Sequence, residues 1–326
     1  MATESKVFDD STSVFNPPPT YDAISTPISA DSVRRYKRSV SSFLQSKQKR
    51  RATAFSRIRE IVSSPDFTPS SVGPIVDSCA TALPASEFSD LLQQRNIEDH
   101  TALYWAIVKK RREALWAFTK FISEFSPACS SDLRFACMAI NDHDLFMQLN
   151  LGDNVNPKDK SLRRMLGCPR DEIQVLRDGL VENRYIVRLV FKMFQTRLRI
   201  MQKFAVEFIA RGRIWVLRIF MHENGRWYIG CALSEYSSPV VHPDVDVIIQ
   251  PHRPSPGFDT PELILHLRLP SNILVPKGSC ERYTAPEPGM LISGMALPLY
   301  DWLMDDDTTY VDCDGTLTVA LRMTMT

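Results

Sequence analysis

The sequence predicts a multidomain chain of α + β class: a disordered N-terminal tail, a stack of α-helical repeats, then an antiparallel β-sandwich. Three observations predict it. Residues 1–32 are rich in Ser, Thr, Pro and Asp and lack apolar periodicity, so they cannot bury enough surface to offset the entropy of ordering. Between residues 70 and 150, apolar side chains recur at three- and four-residue steps, and that pattern itself repeats every 30 residues. Beyond residue 183 the period changes to two, the spacing of half-buried strands.

The 326 residues are enough for two compact domains with tails. We divide them into a tail (1–32), a basic helical linker (33–69), a helical repeat region with its connector (70–172) and a sandwich (173–326). A net charge of +1 gives no whole-chain bias toward nucleic acid, membranes or acidic substrates. The seven cysteines are odd in number and none stands in a C-x-x-C pair, which argues against a disulfide framework or a zinc site. They read as reduced thiols. The start MATESKVFDD has no apolar signal-peptide core, and no uncharged run approaches the ~18 residues of a membrane span. A soluble protein of the cytoplasm or nucleus is expected.

Within the tail lies Asn16-Pro17-Pro18-Pro19-Thr20-Tyr21. Consecutive prolines favour an extended polyproline II segment that can dock in an aromatic-lined groove. The Pro-Pro-x-Tyr pattern resembles the ligand motif of WW domains, best known in HECT-type ubiquitin ligases. That resemblance implies Pro18, Pro19 and Tyr21 as contact residues and a WW-domain protein as partner. The alternative is a proline-rich tail with no partner.

Charge then switches. Residues 1–31 hold five acids and one base, whereas residues 34–59 hold ten bases and no acid. Lys37-Arg38, a ten-residue spacer and Lys49-Arg50-Arg51 suit a bipartite nuclear-localisation signal, and such a run can also touch nucleic acid or anionic lipid. The competing reading is a basic helix leading into the folded body, because Ala52 to Val62 has apolar residues at helical spacing.

The 30-residue recurrence aligns SVGPIVDSCA (71–80), TALYWAIVKK (101–110) and SDLRFACMAI (131–140), and a second apolar helix follows each. One such pair cannot bury its apolar face alone, so neighbouring pairs must stack. The middle unit, Asp99-His100-Thr101-Ala102-Leu103-Tyr104-Trp105-Ala106, resembles the D-x-T-P-L-H-x-A opening of an ankyrin repeat, with Ala102 in place of Pro and Tyr104 in place of His. The resemblance implies that Thr101 bonds back to its turn, that Leu103 and Ala106 pack between helices, and that the stack binds partners.

After a connector around residues 154–172, Val187, Leu189, Phe191 and Met193 alternate with more polar residues. So do Trp215 to Met221 and Trp227 to Leu233. Between the last two runs, Asn224-Gly225 predicts a tight I′ turn, in which both residues take positive φ. Further strands are expected at 245–249, 263–269 and 290–295. Many short strands without alternating helices indicate an antiparallel sandwich. RIWVLRIFMHENGRWYIGCALSE and the closing DGTLTVALRM resemble the central hairpin and last strand of MATH/TRAF-type domains. The order of modules is also similar to that of proteins from mushroom-forming fungi, a likeness that implies architecture and no function.

One stretch points elsewhere. Asp312-Cys313-Asp314-Gly315-Thr316 fits the D-x-D-G-T signature of haloacid-dehalogenase-type phosphohydrolases, in which the first Asp attacks a phosphoryl group. Those enzymes place it at the end of a parallel strand and follow it with about a hundred residues that supply the remaining groups. Here ten residues follow Thr316, and they alternate as an edge or central strand does: Leu317, Val319, Leu321, Met323. Asp314-Gly315 therefore reads as a turn. A weak cation site at Asp305-Asp306-Asp307 is the alternative to a solvated loop there. The six histidines show no metal-ligand spacing, and no catalytic, cofactor or metal residue is expected. The reading is a non-catalytic interaction protein, an adaptor for a WW-domain ubiquitin ligase. The alternatives are a nuclear factor using residues 34–59 and a phosphohydrolase using Asp312 and Asp314.

Overall fold

The structure, a computed structural model, describes residues 30–179, 183–234, 243–252, 261–268 and 294–325. The chain separates into two compact units, Met1–Ala52 and Thr53–Thr326. The described part of the first is helical from Ala30, where α1 (Ala30–Ser63) begins, so the expected tail lies almost wholly outside the described residues. The second unit contains both the helical pairs and the sheets.

The helical pairs follow the 30-residue recurrence. They are α2 (Pro69–Ala82) with α3 (Ala85–Gln93), α4 (Ala102–Val108) with α5 (Arg112–Thr119), and α6 (Pro127–Ile140) with α7 (His143–Gln148). Their starts are chemically marked. Pro sits in the first turn of α2 and α6, where its missing N–H costs nothing. Thr101, Ser126 and Asp142 accept the orphan amides of Tyr104, Cys129 and Leu145. Leu103, Ala106, Leu115, Phe118, Leu133 and Phe146 are completely buried in one cluster that also takes Ala54, Ile58 and Val62 from the end of α1. Arg111 closes that end: its guanidinium donates to the carbonyls of Ile61 and Ser64 and lies over Phe67.

The connector is more ordered than its composition implied. It forms a 3-10 turn (Asp153–Val155) and α8 (Pro157–Met165) before the first strand. The strands are β1 (Glu172–Arg177), β2 (Arg184–Phe191), β3 (Lys203–Ala210), β4 (Arg213–Met221), β5 (Trp227–Leu233), β6 (Pro243–Ile249), β7 (Leu263–Arg268), β8 (Gly294–Pro298) and β9 (Leu317–Met325). One sheet runs β1-β2-β9-β6-β7 and the other β3-β4-β5-β8, and every pairing among the described residues is antiparallel. A single hydrophobic cluster takes Val187, Leu189, Leu217, Ile229, Val247 and Leu321 from both sheets. Leu317, Val319, Leu321 and Met323 are fully buried on the central strand β9, while Thr318, Ala320 and Arg322 are not.

Two expectations need correction, and one strand was not expected. Met193 does not continue the alternation of β2. It has φ +50 and turns the chain into α9 (Phe194–Met201), so the strand ends at Phe191. Asn224-Gly225 is not a two-residue I′ turn. Only Gly225 has positive φ (+76), its N–H meets the His222 carbonyl at 2.9 Å, and the His222 N–H meets the Arg226 carbonyl at 2.9 Å. That is a three-residue loop with a left-handed glycine. The two-residue turn with both central residues at positive φ is Arg211 (+52) and Gly212 (+62), joining β3 to β4. Finally, β3 carries no alternation because nearly every residue in it is buried. One face lies in the two-sheet cluster, and Ile209, with Ile214 of β4, joins the helical cluster on the other.

No helix among the described residues is long and apolar enough to cross a membrane. Cys79, Cys129, Cys137 and Cys231 are buried free thiols, and burial pushes those of Cys129, Cys137 and Cys231 up to about 12. Such thiols hold their protons at neutral pH and act as small apolar groups.

Candidate functional site

An open cleft of about 520 Å³ lies where the helical pairs meet the sheets. Lys110, Arg112 and His143 line it from the helices, and Val175, Arg177 and Ile209 line it from the strands. Local chain chemistry places each group. Helix α4 ends as Lys110 enters the left-handed region (φ +56) and the Arg111 N–H bonds back to the Ala106 carbonyl at 2.7 Å. That reversal puts Lys110 and Arg112 on the cleft side. Asp142 Oδ1 accepts the Leu145 N–H at 2.8 Å, which starts α7, while its Oδ2 holds Arg112 at 3.0 Å.

His143, the first residue of α7, is buried at the back of the cleft. Its Nδ1 accepts the Ile209 N–H at 3.2 Å, so the ring proton sits on Nε2 and is donated to the Ile173 carbonyl at 3.3 Å. β1 and β3 are the edge strands of the two sheets. One neutral imidazole therefore ties both edges to the helices. Burial pulls its pKa below the ordinary value, outweighing the Ile173 hydrogen bond and the charges of Asp144 and Asp142.

Two buried ionic braces flank this seam. Arg134 of α6 forks onto Glu207 of β3, with Nη1–Oε2 at 2.6 Å and Nη2–Oε1 at 3.0 Å. Arg134 also donates to the Leu151 carbonyl at 2.8 Å, and the Ser234 hydroxyl donates to Glu207. Behind them Arg197 of α9, only 1% exposed, holds two carboxylates at once. Its Nε and Nη2 meet Asp159 at 2.9 and 2.7 Å, and its Nη1 and Nη2 meet Asp171 at 2.6 and 2.9 Å. Burial alone would lower the Arg197 pKa, but hydrogen bonds to Asp171 and Asp159 carry it upward, so the guanidinium stays charged. In the helical stack Asp132 plays a similar part. It accepts the Thr101 N–H and hydroxyl on Oδ2 at 2.7 and 2.8 Å and contacts His100 Nδ1 at 2.6 Å through Oδ1.

The residues singled out in the sequence fall elsewhere. Pro18, Pro19 and Tyr21 lie outside the described residues. Lys37, Arg38, Lys49, Arg50 and Arg51 all lie on α1, with Lys49 and Arg50 exposed and Arg51 half-buried. Asp312 is engaged by its own loop. Its Oδ1 accepts the Asp314 and Thr316 N–H groups at 3.2 and 2.7 Å, and Gly315 (φ +78) reverses the chain into β9. The Gly315 carbonyl then accepts the Phe194 N–H at 2.7 Å, so this turn docks onto the start of α9. In the acidic run, Asp306 pairs with Arg199 at 2.7 Å, and the Asp305 carbonyl accepts from Gln195 at 2.8 Å. Among the described residues no group of three or more His, Cys, Asp or Glu is arranged to hold a metal ion.

Sequence reading missed His143, Arg134, Glu207, Arg197 and Asp132. A charged residue inside an apolar run is the one signal it had, and Glu207 within Phe204–Ala210 is that case. Comparison with known protein families and with curated proteins finds no match to this chain.

Proposed function

We propose that this chain is a non-catalytic protein-interaction module. An ankyrin-like helical stack (70–172) and a MATH/TRAF-like antiparallel sandwich (173–326) offer binding surfaces. Pro18, Pro19 and Tyr21 recruit a WW-domain partner such as a HECT-type ubiquitin ligase, which makes the chain an adaptor. The ankyrin-like reading draws support from Thr101, which accepts the Tyr104 N–H at 3.1 Å, and from the complete burial of Leu103 and Ala106. The sandwich reading draws support from two antiparallel sheets that share one core.

The observation that carries the proposal is the cleft itself. It is open, it is bordered by β1 and β3, the edge strands of the two sheets, and its rim carries charges of both signs. The alternative nucleophile Asp312 instead closes a turn between antiparallel elements. Capture of the full chain by an isolated WW domain tests the adaptor role. Tyr21→Ala should abolish capture, and Thr20→Ala should leave it nearly unchanged. Neither should alter thermal unfolding, and a fall of several degrees with Tyr21→Ala would make the motif a structural one.

A second reading, a nuclear factor, is favoured by the exposure of Lys49 and Arg50 on α1. A fluorescent fusion with Lys49, Arg50 and Arg51 changed to Ala separates the two, because an unchanged distribution removes the import signal.

A further inference from the structure

The cleft borders one side of β1 that, among the described residues, no strand pairs. In an antiparallel ladder, alternate residues turn both their N–H and C=O toward one neighbour. Asp178 donates its N–H to the Arg184 carbonyl at 3.0 Å, so even-numbered residues here face β2. Ile173 presents its carbonyl to His143, on the opposite side. Val175 and Arg177 share the parity of Ile173. Their N–H and C=O groups therefore point away from β2, beside the cleft they line, and among the described residues no strand pairs with them. An edge of this kind is a template for another strand.

The charges at the rim select what such a strand would carry. Asp142 is taken up by Arg112 and the α7 amide, which leaves Lys110 and Arg177 as cations that, among the described residues, have no carboxylate within ion-pair distance, against Asp144 alone. We propose that the β1 edge takes an extended peptide from a protein partner by strand addition, with a Glu or Asp side chain of that peptide seated between Lys110 and Arg177. The backbone of Val175 and Arg177 supplies affinity, and the two cations supply preference for an acidic residue. The inference rests on the interaction-protein reading but uses none of the WW-ligand residues.

The test uses the full chain and three synthetic decapeptide libraries that differ at one fixed central position: Glu, Gln or Lys. The Glu library should be retained best, and its binding should slow hydrogen exchange at the Val175 and Arg177 amides. N-methylation of one set of alternate peptide residues should abolish binding and of the other set should not, because strand addition uses the backbone N–H groups on one side only. Arg177→Glu should lower retention of the Glu library roughly fivefold, the scale of an exposed charge pair counted twice. Arg177→Pro removes the outward N–H at an edge position where proline is tolerated, and it should abolish binding with the fold intact by circular dichroism. Equal retention of the three libraries, or exchange at Val175 and Arg177 that no library alters, overturns the proposal. If WW-domain capture through Tyr21 persists in that case, only the edge inference falls. If both fail, the interaction reading falls with it.

Discussion

His143 and Ile209 stand 66 residues apart in sequence and are joined by a backbone N–H donated to Nδ1 at 3.2 Å. The same ring donates from Nε2 to Ile173 on the other sheet. The Ile209 bond requires the neutral ring, because a proton on Nδ1 would face the Ile209 N–H, whereas the bond to Ile173 is made in either form.

A pH dependence of stability follows from that requirement. The folded state depresses the His143 pKa below its unfolded value of about 6.5. Above that value both states are neutral and the seam is fully stable. As pH falls below it, the unfolded chain takes up the proton first, so stability is lost progressively toward the folded pKa. Asp142 and Asp144 face the ring with opposing effect, and Lys110 and Arg112 line the same cleft. Thermal unfolding at pH 7.5 and 5.5 should show a drop in the natural chain that is smaller in His143→Gln, whatever the variant's absolute melting temperature.

Arg134 and Glu207 should behave as a coupled pair. Glu207 is 2% exposed, so Arg134→Met leaves a buried carboxylate without its fork, at a cost of about 3–5 kcal/mol. Arg134→Met with Glu207→Leu removes both charges and should recover much of that loss. Urea unfolding of the two single variants and the double variant gives the coupling energy, and additive losses would show that the pair is not the brace.

Arg197→Lys should be far from conservative. A lysine ammonium cannot fork onto Asp159 and Asp171 together or lie over the Phe204 ring at 4.7 Å. A loss of about 3 kcal/mol is expected. Loosening should show first as faster hydrogen exchange in α8 and at the start of β1, the two segments that Arg197 holds through those carboxylates.

Asp312→Asn should be nearly silent in stability, since an amide oxygen can still accept from Asp314 and Thr316. Asp312→Leu should cost about 1–2 kcal/mol by leaving those amides without their acceptor. Gly315→Ala forces a side chain to φ +78 and should cost about 1 kcal/mol or more. A generic phosphate ester with Mg²⁺ should give no turnover that Asp312→Asn removes. Turnover lost in that variant would restore the hydrolase reading.

Local patterns in the sequence determined much of this protein. The alternation of Leu317, Val319, Leu321 and Met323 marks a half-buried strand wherever that strand lies, and Thr101 before an apolar run marks a helix start, because each depends on residues a few positions apart. Tertiary structure decided the rest. β3 shows no period because helices cover one of its faces and the other sheet covers the opposite face, so burial erased the alternation that would have announced it. Arg134 and Glu207 lie 73 residues apart, and nothing near either one names its partner. The edge of β1 that no described strand pairs arises in the same way: a strand is exposed on one side only after the sheet has chosen its order, and that choice is made by packing across the whole unit.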